Sequence, residues 1–163
     1  TVEEFRAVLD NVKVDIVEIL FNVFFQDASA LFKEAHRKGI KIITKVPLDS
    51  GWLSGKYDEF SEFEGIRSRW DDETIQRRAA LIRDVKEITK ADDLVKYAIG
   101  FILSYPEVTA VIPGIKNLTQ LNDHLANKNF VLPEAARKFV DSRDVAKRYL
   151  SKIPWNIWKR NKC

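Results

Sequence analysis

The residues best suited to chemistry in this chain lie between Val111 and Gln120. A β-branched run stops at Pro113-Gly114, Lys116 follows, and Asn117 opens an apolar-periodic helix. Backbone N–H groups at a helix N-terminus, a neighbouring cation and a glycine permitting close backbone approach make an anion site, which points to a phosphate-bearing ligand. Gln120 has two readings. The spacing Asn117-x-x-Gln120 is that of a capping box, and a capped terminus still leaves N–H groups for a ligand.

Two further charges sit late in apolar runs. Glu18 lies within Val14–Leu20 and Lys45 within Lys41–Val46. A charge inside a buried strand must line a pocket or find a counter-charge, so these two either pair with each other or serve a pocket separately. Arg67, Arg69 and Trp70 either clamp an anion or belong to a solvated, charge-rich loop. His36, His124 and the single Cys163 do not form a metal ligand set, so no metal is expected.

The elements that must position these residues follow from periodicity and caps. Thr1-Val-Glu-Glu4 has capping-box spacing before a short helix to about Asp10. Val14–Leu20 reads as a strand buried on both faces. Asp27 is expected to cap a helix with Ala28, Leu31, Phe32 and Ala35 on one face and Gly39 as its stop, before a second strand over Lys41–Val46. Leu48–Asp72 shows no periodicity and reads as a long functional loop. Ile75, Ala79, Ile82 and Ile88 share one helical face. After a cap at Asp92 or Asp93, Leu94, Tyr97, Ala98, Phe101 and Ile102 share another. A third strand spans Val108–Ile112. Helices with Leu118, Leu121 and Leu125, and over Pro133 to Asp144, complete the pattern. Alternating strands and helices demand a parallel sheet with helical crossovers, and three such apolar strands leave two open edges that something must cover.

Composition sets the bounds. With 163 residues, 45% hydrophobic and 31% charged, and a net charge of +3, the chain has globular composition and too mild a charge to demand nucleic acid or membrane. One cysteine at the end favours a reducing, cytoplasmic setting. The sequence contains no methionine, even at position 1, so a piece of a longer chain is expected. From Val145 onward there are six basic residues and no acidic ones, interleaved with Tyr149, Trp155 and Trp158. Nucleic acid or a membrane surface is one reading of this segment; the other, preferred on the fold that the resemblance given next implies, is a barrel's tail folding over the substrate mouth.

Taken in order, Val14-Asp-Ile-Val-Glu-Ile-Leu-Phe-Asn22, Pro47-Leu48 with Gly51-Trp-Leu-Ser-Gly55-Lys56, Arg67-Ser-Arg-Trp70, and Ile112-Pro-Gly-Ile-Lys116-Asn with Gln120 resemble the carboxy-terminal part of an aldo-keto reductase. The resemblance implies an α/β fold: a partial (β/α)8 TIM barrel, its last three parallel strands with their helices, over residues 1–140, and a basic aromatic tail over 141–163. It implies that Pro47, Leu48, Ser50, Gly51, Leu53 and Gly55 line the pyrophosphate of NADP(H), and that Pro113, Gly114, Lys116 and Gln120 hold its adenosine end. Glu18 stands where the family commonly has a glutamine on the nicotinamide amide, and Lys45 where many members stack an aromatic. Lys116 replaces a usual arginine and His124 a frequent asparagine. A cation favours NADP over NAD, although lysine lacks the bidentate grip that arginine would give.

The family's catalytic aspartate, tyrosine, lysine and histidine come from the first four strands, and this sequence contains none of those strands. Tyr57, Tyr97, Tyr105 and Tyr149 are not their positional equivalents. The expected parent is an oxidoreductase acting on a small carbonyl or alcohol. The 163-residue chain alone is expected to be inactive, and its partner is the missing half of the barrel or a second copy at the open edges. The alternative is a non-catalytic nucleotide-binding or dimerising module.

Overall fold

The computed structural model describes residues 1–132 except Asp92, Lys128 and Val131, and gives the backbone alone at Ile66 and Ile88. The helix expected over Pro133 to Asp144 and the tail over 141–163 lie outside the described residues. Helix α1 (Val2–Asn11) opens with a complete capping box: the Thr1 hydroxyl accepts from Glu4 N at 3.1 Å, while Glu4 takes the terminal amine at 2.8 Å. Strand β1 (Ile16–Leu20) follows, then a single tight turn over Asp27–Leu31 leading into helix α2 (Phe32–Arg37). Asp27 does not cap this helix. Gln26 occupies the cap position without a side-chain bond, and the first turn is 3-10, so the hydrogen-bond pattern that would have used Asp27 is not formed.

Strand β2 (Lys41–Lys45) leads into a long connection containing 3-10 turns at Asp49–Ser54 and Gly65–Arg67. Helix α3 (Asp72–Thr89) begins where the Asp71 carboxylate accepts from Thr74 N at 2.8 Å. Its Ile75, Ala79, Leu81, Ile82 and Val85 are buried. Asp93 caps helix α4 (Leu94–Leu103), which buries seven of its ten residues and is nearly encircled by protein. At Gly100 a β-carbon would collide with the Phe130 ring, so this helical glycine is a packing requirement. Strand β3 (Val108–Ile112) and helix α5 (Leu118–Ala126), capped by Asn117, complete the described elements.

The three strands are parallel in the order β1-β2-β3, which makes β1 and β3 the edges. A bulge between Ile42 and Ile43 shifts the β2–β3 register by one residue. One sheet face is sealed: Ile42 and Thr44 are fully buried, and Phe21 packs against Phe32, Phe101 and Tyr105 at ring separations of 4.9, 5.6 and 5.0 Å. The other face is open among the described residues. Ile16 is 56% and Ile112 49% exposed, and Glu18 also lies open. The expectation that β1 is buried on both faces is therefore corrected. Its apolar composition is matched on one side only, because no described element covers the second face, where Lys45 of the central strand is open as well. Likewise α5 buries no residue, and Leu118 and Leu125 are 76% and 54% exposed.

Candidate functional site

The C-terminal ends of the strands gather the candidate residues. Leu20 lies opposite Lys45, and Lys45 opposite Ile112, so the loops after β2 and β3 leave neighbouring strands at one level. Glu18 Oε1 and Lys45 Nζ form an ion pair at 3.1 Å on the open face, with each side chain about half exposed. Such a pair contributes ~0–1 kcal/mol, so its weight is in orienting two charges at the strand ends more than in stability.

The connection after β2 turns off the sheet through left-handed backbone. Val46, Asp49, Ser50, Gly51 and Gly55 have φ of 56°, 45°, 59°, 102° and 73°. Each non-glycine residue so placed costs on the order of 1–2 kcal/mol, and a β-branched one is a true outlier. Short bonds hold the path: Asp49 N to Val46 O at 3.1 Å, Gly51 N to Leu48 O at 2.8 Å, Leu53 N to Leu48 O at 3.1 Å and Gly55 N to Trp52 O at 3.0 Å. A β-carbon on Gly51 would stand 3.1 Å from the Tyr57 ring. Pro47 and Leu53 are buried, while Leu48, Ser50 and Gly55 are partly exposed.

Beneath this path lies an aromatic group that periodicity did not reveal. Trp52, fully buried, meets Tyr57, Phe63 and Trp70 at 5.5, 5.6 and 5.9 Å, and Phe63 meets both Tyr57 and Trp70 at 4.8 Å. The aromatic content of the connection, Trp52, Tyr57, Phe60, Phe63 and Trp70, was the available signal, and all but Phe60 join the group. Arg67 donates to the Tyr57 hydroxyl at 3.0 Å, and Arg69 and Arg78 lie over the Trp70 ring at 5.2 and 5.3 Å. Arg67 and Arg69 are thus packed against rings, not part of a merely solvated loop. Arg78 of α3 also pairs with the buried carboxylate of Asp49. Burial pushes the Asp49 carboxyl above the ordinary range, with Arg78 and then Arg69 pulling it back. Burial, with repulsion from Arg78 and Arg67, holds the Arg69 guanidinium below its usual value. A surface cleft of about 530 Å³ lined by Glu59, Phe60, Glu62, Asp72 and Arg83 contains none of the candidate residues.

The connection after β3 is short and open. Gly114, Ile115 and Lys116 are exposed and Pro113 is half-buried. The Asn117 side chain accepts from Gln120 N at 2.9 Å, and Gln120 Oε1 accepts from Lys116 N at 2.8 Å. The capping box is therefore displaced, its return bond reaching one residue upstream of the cap. Gln120 spends its oxygen on the turn and retains an amide NH2 with no partner among the described residues, as Lys116 retains its ammonium. The buried His124 Nδ1 on the same helix also has no hydrogen-bond partner among the described residues. Among those residues, too, no cluster of three or more His, Cys, Asp and Glu is placed to hold a metal, and no helix is long and apolar enough to cross a membrane.

Three parallel strands with crossover helices, and candidate ligand loops at their C-terminal ends, form an α/β unit that resembles part of a (β/α) barrel. The Aldo/keto reductase family model matches residues 1–144, and the chain belongs to that family. Among solved structures, it is similar to an aldo-keto reductase from Bacillus halodurans in its holo form, with 16% identity, TM-score 0.66, and coverage of 85% of this chain and 45% of that one. It is also similar to a glycerol dehydrogenase from Gluconobacter oxydans, with 17% identity, TM-score 0.68, and coverage of 93% and 48%. The chain spans about half the length of these structures. No curated protein matches its sequence.

Proposed function

We propose that the chain is the carboxy-terminal, cofactor-phosphate-binding part of an NADP(H)-dependent oxidoreductase that interconverts small carbonyls and alcohols in the cytoplasm. The observation that carries this reading is the pair of loops leaving adjacent strands at one level, one offering fixed backbone and the other an exposed cation at a helix N-terminus. That is where (β/α) barrels commonly bind phosphate. The Lys116 ammonium and the Gln120 amide suit a phosphate-bearing ligand, and the N–H groups of Gly51, Leu53 and Gly55, bonded within their loop, fix its shape. Pro47, Leu48, Ser50, Gly51, Leu53 and Gly55 would line its pyrophosphate; Lys116 would face the adenosine 2′-phosphate, with Pro113, Gly114 and the Gln120 amide beside it. His124 Nδ1, buried and without a hydrogen-bond partner among the described residues, would stand near the adenosine end. Glu18 would accept from the nicotinamide amide, and Lys45, paired with it at 3.1 Å, would keep it oriented.

When bound, the dinucleotide supplies the hydride. The proton-handling residues come from strands outside this chain, so the 163 residues alone turn over no carbonyl substrate. The edges of β1 and β3 would take the remaining strands of the barrel or a second copy.

Calorimetric titration of the chain with NADPH and NADH tests this reading. NADPH is expected to bind the more tightly, and Lys116→Glu to weaken it about tenfold while leaving NADH unchanged. Equal binding of NADPH by this variant and the unaltered chain overturns the assignment of Lys116. Binding of neither nucleotide overturns the proposal.

A further inference from the structure

The left-handed path after β2 is gripped from two sides by buried polar groups. On one side Arg78 holds Asp49. On the other, the fully buried Asn22, just beyond β1, donates from Nδ2 to the carbonyl of Val46 at 2.9 Å. That carbonyl also accepts from Asp49 N at 3.1 Å, so both bonds converge where the chain leaves the sheet. Val46 needs such a grip. It is β-branched, has φ of 56°, and precedes Pro47, which disfavours right-handed helical backbone at Val46.

Asn22 is itself fixed. Its Oδ1 accepts from Phe24 N at 2.9 Å and Phe25 N at 3.1 Å, while its backbone exchanges two bonds with Phe25. A flipped amide would aim NH2 at two N–H donors, so the donor must point at Val46. The side chain has no freedom to do anything else.

We infer that Asn22 is a positioning residue for the dinucleotide's pyrophosphate, acting through the Val46 carbonyl. This rests on the reading of Pro47–Gly55 as the pyrophosphate loop. Losing the Nδ2 donor leaves a buried carbonyl short of a bond and frees the turn that sets the following backbone groups. The adenosine end, carried by β3 and α5, does not depend on it.

Two ligands separate these ends: NADP+, which carries the pyrophosphate, and adenosine 2′-monophosphate, which does not. In titrations of the full chain near neutral pH, Asn22→Ala and Asn22→Asp are expected to bind NADP+ about tenfold more weakly and adenosine 2′-monophosphate unchanged. The aspartate variant carries a second signature. Ionised, it presents an oxygen to an oxygen; protonated, its O–H donates to Val46 as the amide did. Its NADP+ affinity, relative to the unaltered chain at the same pH, should therefore recover toward about pH 5, and that of Asn22→Ala should not. If either variant fails to fold at neutral pH, recovery of folding and binding by Asn22→Asp on acidification is the readout. Unchanged NADP+ affinity in Asn22→Ala, a parallel loss of both ligands, or no acid recovery overturns the assignment. Failure of the unaltered chain to bind either ligand overturns the cofactor reading, and this assignment with it.

Discussion

The loops after β2 and β3 leave the sheet side by side and are built on opposite plans. The first buries Asp49, Trp52 and Leu53, runs through left-handed backbone, and is held by side chains from both flanks. The second exposes Gly114, Ile115 and Lys116 and relies on two hydrogen bonds at one helix cap. Backbone hydrogen bonds weaken steeply with angle, whereas the attraction of a point charge falls only inversely with distance. A loop that presents shaped backbone must be rigid. A loop that offers an ammonium can be loosely tethered.

The sharpest way to break this contrast is to remove what makes the first loop rigid. Trp52→Ala deletes a fully buried indole from contact with Tyr57, Phe63 and Trp70, with an expected loss of about 3–5 kcal/mol in denaturant unfolding and early proteolysis between Val46 and Asp71. A loss under about 1 kcal/mol would mean that the ring cluster does not hold the loop. Asn117→Ala strikes the second loop and should cost about 1 kcal/mol. It should speed amide exchange in the first turn of α5 and leave the first loop untouched, because α5 buries no residue. Equal acceleration in both loops would dissolve the distinction between them.

The smallest effect is expected where neither loop is involved. Glu34 bridges α1 and α2, accepting from Arg6 and pairing with Lys38 at 3.2 Å, and the Arg6 bond chiefly, with Lys38, holds its carboxyl below the ordinary range. A lowered carboxylate pKa gives stability that is full above the unfolded value near 4.5 and is lost as pH falls through the depressed native value. Glu34→Gln should flatten that acid limb of a melting-temperature profile without altering nucleotide affinity at neutral pH.

Most elements were legible because they announce themselves locally. Caps at Thr1, Asp93 and Asn117, and the periodic faces of α3 and α4, depend on neighbours within a turn or two. The two candidate loops were legible from Pro and Gly punctuation. The Asp49–Arg78 pair was not, since it joins residues far apart in sequence, and nothing in the letters marks Val46 or Asp49 as left-handed. The exposure of β1 depends on what covers the second face of the sheet, which a single strand's composition does not carry. The aromatic group was visible as composition, but aperiodic spacing hid that its members meet.

The parallel ladder also sets an order of assembly. Ile16 pairs with Lys41 across one short crossover, whereas Ile42 must find Val108 across the whole of the first loop, α3 and α4. Closing the longer loop costs more chain entropy, so β1 and β2 are expected to dock first, with β3 joining later. Asn22 and Val46 belong to the early pair. The turn that starts the rigid loop can therefore be set before the strand that leads to Lys116 arrives, and the exposed loop after β3 is added to a finished template.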